Sequence, residues 1–171
     1  MKKLLSVFLK ICLLRAGPQD LPAASVVLVL ATMANVVIGT LVALPNYTFG
    51  QALVWSVLDL LLFATVAHIS LLWYGKRSRF TQTFSALAGT GALLSVLGWP
   101  LLLVLARLPE GDTNAAVPSL LLVALLIWSI AVIAHIMRHA LSATYGVGVL
   151  LALLYVIVSW NLSGLLFPSA N

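Results

Sequence analysis

Charge is what this chain has least of. Only 8% of its 171 residues are charged while 63% are hydrophobic, against about 25% charged in soluble proteins. So few charges cannot solvate the surface of a water-soluble fold, and that class is excluded. Cysteine is nearly absent too. The lone Cys12 excludes an intrachain disulfide and any CxxC or Cys/His zinc arrangement, and reads as a small apolar residue on an amino-terminal helix. No phosphate loop, HExxH, GxSxG or carboxylate pair occurs. With no nucleophile–base pair in view, the sequence points away from an enzyme. Soluble domains, repeats and low-complexity linkers are likewise missing.

What is present is apolar sequence in long blocks, at 21–44, 50–74, 80–106, 116–137 and 142–167. Each exceeds the roughly 20 residues a helix needs to cross the hydrocarbon core. The blocks lack the period-2 alternation of a barrel strand, and in lipid a backbone must satisfy its own hydrogen bonds. The expectation is an all-α bundle of five transmembrane helices over 17–171. Short connections make consecutive spans antiparallel neighbours.

Charge placement orients that bundle. Lys2, Lys3, Lys10 and Arg15 precede the first span, Lys76, Arg77 and Arg79 follow the second, and Arg138 follows the fourth. Only Arg107, beside Glu110 and Asp112, falls on the other side. The positive-inside rule assigns the basic side to the cytoplasm and the carboxyl terminus to the far side. The expected home is a bacterial inner membrane. Residues 1–16 read as a basic amphipathic helix at the cytoplasmic interface, because Lys2, Lys3, Ser6 and Lys10 share one arc at 100° per residue. Lys10 interrupts the apolar run of a signal peptide, and no A-x-A cleavage site follows at the right place. Gly17-Pro18 ends this helix, and Asp20 is placed to cap the first span with Pro22 in its first turn. Lys2, Lys3, Lys10, Lys76, Arg77 and Arg79 are the expected contacts for anionic headgroups. The basic pI of 9.8 follows from this topology, and nucleic acid is not an expected partner.

The third span is unlike its neighbours. Ser85/Gly89, Ala88/Ala92 and Gly91/Ser95 are small pairs four apart, and in lipid small residues let helices pack closely. The span belongs in the middle of the bundle, or the stripe serves a second copy. Pro100 removes a backbone donor and should kink its outer third.

Two constellations could carry chemistry. Asp59 is the only carboxylate inside a span, at a depth of about 13 Å from the outer end. Asn35 and Asn161 fall at similar depths, roughly 14 and 9 Å. Together they read as an ion or proton site, or as polar glue between helices. His68 and His135 match in depth near the cytoplasmic ends of their spans, and His139 lies four residues from His135. That trio could ligate haem or a transition metal; the plainer reading is polar anchoring, with no cofactor.

Residues 14–22, LRAGPQDLP, and 79–89, RFTQTFSALAG, lead into the first and third spans. With the five-span plan, they give a chain that resembles the Ypt-interacting-protein (Yip) family, especially its bacterial members. The resemblance implies a non-enzymatic membrane organiser or assembly factor with a membrane-protein partner, and supplies no catalytic residues. Eukaryotic relatives act in vesicle traffic with small GTPases through a longer cytoplasmic amino-terminal region than precedes the first span here. The leading expectation is a scaffold or lipid organiser. A small ion or proton transporter using Asp59 comes next, and a haem-binding redox subunit third.

Overall fold

The computed structural model describes residues 2–109 and 112–166; the Lys2 side chain, Glu110, Gly111 and the residues after 166 lie outside that description. Among the described residues the regular structure is all helix, in the order α1 (Lys2–Cys12), α2 (Ser25–Ala43), α3 (Phe49–Trp73), α4 (Phe80–Leu105), α5 (Ala116–Leu141) and α6 (Tyr145–Leu166). The last five are each long and apolar enough to cross a membrane. Their outward faces are greasy: Met33 on α2, Leu120 and Ile127 on α5, and Leu150 and Trp160 on α6 are all exposed. Such a surface is the inverse of a soluble bundle's and suits a hydrocarbon solvent.

Helix ends follow local hydrogen bonding. Thr48 and Gln51 form a capping box at the start of α3, with Thr48 N–H donating to Gln51 Oε1 at 3.1 Å and Gln51 N–H to Thr48 Oγ1 at 3.4 Å. Gly75 (φ 66°) closes α3, its amide bonding the Leu72 carbonyl while the Lys76 amide bonds that of Leu71. This is a Schellman ending. Leu14 (φ 60°) closes α1 and Ser142 (φ 54°) closes α5 in the same way. Because Ser142 accepts the left-handed conformation, α5 runs to Leu141 instead of stopping at 137.

The expected cap on the first span is corrected. The Asp20 carboxylate accepts the Gly17 amide at 2.8 Å and so closes the 3-10 turn Pro18–Asp20. Pro22 lies in extended chain, and α2 begins at Ser25 without a side-chain cap.

α4 is the central helix. Every residue from Thr83 to Thr90 is buried, and α4 meets α1, α2, α3 and α5. Its small residues explain the close approach. The Phe8 ring occupies the space a side chain at Gly89 would need, Asn35 faces Gly91, and Leu125 faces Gly98. Ser85, Ala88, Gly89 and Ala92 are buried, with Gly91 and Ser95 half-buried. The stripe is therefore spent on contacts within the chain, which corrects the idea that it forms a seam for a second copy. α4 continues through Pro100 to Leu105.

α1 packs alongside α4 and α5 instead of across their tips. Phe8 reaches Gly89, about 13 Å along α4 from Phe80. The Cys12 carbonyl accepts the Trp128 indole N–H at 2.8 Å, about 20 Å along α5 from Leu141. The chain then returns, with Ala16 O 3.1 Å from His135 Nε2 and Leu21 O accepting from Gln82 at 2.8 Å. α1 and its return segment thus make a hairpin wedged against the end of the bundle that carries Arg79 and Arg138.

Candidate functional site

The only carboxylate inside a candidate span is Asp59 on α3. It lies about 15 Å along α3 from Phe49, close to mid-helix. Both of its oxygens are engaged by α6: the Tyr155 hydroxyl donates to Oδ2 at 2.7 Å, and the Ser159 hydroxyl to Oδ1 at 2.6 Å. Helical spacing builds this arrangement. Asp59 and Phe63 are four apart on α3, as are Tyr155 and Ser159 on α6, so each pair shares a face. The Phe63 ring stacks on that of Tyr155 with centroids 4.2 Å apart and fixes the phenol.

Asp59 and Tyr155 border a cavity of about 420 Å³ between α2, α3, α4, α5 and α6. Its other polar lining includes Asn35, Ser56, Thr90 and Ser129. Three of these spend their protons on their own helices, Ser56 on the Ala52 carbonyl, Thr90 on Ala86 and Ser129 on Leu126, at 2.7–2.8 Å. Asn35 spends an amide N–H on the Ala88 carbonyl of α4 at 3.0 Å. What the three hydroxyls keep for the cavity is acceptor capacity, while Asn35 keeps its amide oxygen and a second N–H. No Lys, Arg or His lines it among the described residues. An ionised carboxylate at this position is held by two hydroxyl donors, with no counter-charge among the described residues that line the cavity. Such a group is suited to pair with a cation, since an uncompensated charge in low dielectric costs several kcal/mol.

Of the three polar residues grouped by depth, Asn35 and Asp59 border this cavity. Asn161 does not join them. It is exposed and bonds the Ile157 carbonyl of its own helix at 2.7 Å, because the turn of α6 that holds Ser159 against Asp59 points Asn161 outward. Tyr155 and Ser159, which depth-matching of amides alone passed over, take its place.

The histidines do not converge. His68 is exposed, with its ring edge-on to Phe80. His135 and His139 share a face of α5 with ring centroids 4.5 Å apart, but His135 is engaged by Ala16 O. No group of three potential metal ligands occurs among the described residues. His68 lies on the outward face of α3, and the contacts shown for it and for His135 are with Phe80 and with His139 and Ala16 respectively.

Of the expected headgroup contacts, Lys3, Lys10 and Arg77 are exposed and Lys76 half-buried; Lys2 lies outside the described side chains. Arg79 has a different task. Its Nη1 donates to the His139 and Ala140 carbonyls and to Ser142 Oγ, at 3.0–3.3 Å, and so satisfies the open end of α5.

Fold and site together define a class: among the described residues, an all-helical bundle with five potential membrane crossings and a half-buried mid-helix carboxylate on a partly open cavity of mixed polar and apolar lining. Comparison with family models, curated proteins and solved structures returns no match.

Proposed function

We propose that this chain is a non-enzymatic multi-pass protein of a bacterial cytoplasmic membrane whose working element is a reversible cation or proton site at Asp59. One observation carries the reading: a mid-helix carboxylate borders a cavity and meets two hydroxyls but no basic side chain. A group placed only to glue helices together would do better as an amide or a hydroxyl, which carries no charge to desolvate. Transport or ion-linked coupling follows from such a site. Reconstituted protein in liposomes under a pH gradient should pass protons, read with an entrapped pH dye, and Asp59→Asn should remove that flux. Flux unchanged in Asp59→Asn would sink the assignment.

A second reading, a Yip-like organiser or assembly factor, draws on α1. Leu5, Leu9 and Leu13 stand exposed in one row, near the exposed Lys3 and Lys10, a face suited to anionic lipid. Extraction in native lipid as a lone, partner-free chain would count against it.

A further inference from the structure

Asp59 borders the inner cavity, and the two residues that bond it, Tyr155 and Ser159, also line a second space that opens outward. A groove of about 430 Å³ runs along α6 past Ser159, Trp160 and Ser163, and it shares Trp55, Ser129 and Tyr155 with the inner cavity. Tyr155 is the partition: its ring lies on Phe63 and its hydroxyl on Asp59. The groove exists because α5 and α6 are pinned at one end only. Gly148 lies directly on the Ala134 backbone, and beyond Ala152 the described part of α6 has no buried residue. Trp160 at the groove is 73% exposed, on a face that would look into lipid.

We propose that the inner cavity takes a monovalent organic cation with an apolar, ring-bearing body, admitted laterally from the membrane past Tyr155. The proposal rests on the reading of Asp59 as a cation site and names the class of its ligand. A proton needs no cavity of about 420 Å³, a volume within the ordinary range of small-molecule pockets. A hard metal ion needs six or more oxygen ligands in a tight shell, whereas the cavity walls include Leu87, Leu94, Leu122 and Leu125. Largely apolar walls with a single carboxylate fit a body that is greasy everywhere except at one positive centre. The exposed Trp160 ring along the route adds cation–π attraction.

The test uses benzyltrimethylammonium and its uncharged isostere neopentylbenzene, with the full chain in nanodiscs. Dicyclohexylcarbodiimide, which modifies carboxyls embedded in apolar surroundings, should label Asp59 in the unaltered protein. The cation should protect against that labelling in a saturable manner, and the isostere should not. Direct binding of the cation should weaken at least about tenfold in Asp59→Asn, the loss of one charge contact, and severalfold in Trp160→Ala. Equal protection by the isostere, or unchanged binding in Asp59→Asn, overturns the proposal. Should Asp59→Asn fail to fold, protection in the unaltered chain decides alone. Flux that depends on Asp59 without protection by the cation sinks this ligand class and leaves the proton site standing; absence of both sinks the two together.

Discussion

At the residue scale, Cys12 is held between α1 and the bundle, its carbonyl bonded by Trp128 and its side chain buried. Burial pushes its thiol up to about 11, only partly offset by a backbone hydrogen bond. A free thiol titrates near 8.5. The thiolate is the nucleophile, so iodoacetamide at pH 7.5 should modify the folded protein more than about a hundredfold slower than the detergent-denatured chain. The rate should climb steeply only as pH approaches 11. Equal rates in the two states would mean that α1 is not seated. The sign for stability follows from the same shift. The folded value lies above the unfolded one, so the neutral thiol favours the fold below about pH 8.5. That contribution is lost as pH rises toward 11, and Cys12→Ala should remove this part of the alkaline loss in thermal melts.

At the element scale, the α5–α6 crossing brings one helix against the backbone of the other. A Cβ added at Gly148 would run into the Ala134 carbonyl and the backbone behind it, and backbone cannot swing aside as a side-chain tip can. Gly148→Ala should therefore destabilise the bundle by about 1–3 kcal/mol, the usual range of overpacking. Gly164→Ala, on the same helix with nothing within 4 Å, should be neutral or slightly stabilising. Tryptophan-fluorescence melts in mild detergent separate the two, and equal midpoints would deny the crossing. This contact also shows what the sequence could and could not convey. Five apolar blocks were legible as helices because length and composition alone decide a crossing. The extra turn of α5 was not, because it depends on Ser142 accepting a left-handed conformation. Asp59 stood out as a lone charge in apolar sequence. Its partners did not, because Tyr155 and Ser159 look like ordinary residues of a greasy helix until α3 and α6 are brought into register. The small stripe of α4 was readable as a packing device, whereas its occupant, Phe8 of α1, required the hairpin at Leu14 to be known.

At the scale of the whole molecule, the bundle has two unequal ends. One gathers Lys76, Arg77, Arg79 and Arg138 around the α1 hairpin, while the connection after α4 carries Arg107 and Asp112. Arg79 is tied to the α5 terminus, so a structural demand accounts for part of this asymmetry. Lys76 and Arg77 make no comparable bond to α5, so the proposed topology, which expects cations to be retained on the cytoplasmic side, has to account for them. This separates two causes of basic sequence and yields a test. In a Cys12→Ala background, a membrane-impermeant maleimide applied to intact cells stripped of their outer layers should label Asp112→Cys. It should label Lys76→Cys only after the membrane is opened. Labelling of both from outside would break the five-crossing topology, since α3 and α5 could not then run in the same direction across the bilayer. The Asp59 site would fall with it, because its depth depends on α3 spanning the membrane from Phe49 to Trp73. Labelling in the reverse sense would keep the bundle and the site intact and change only the side from which α1 is wedged into it.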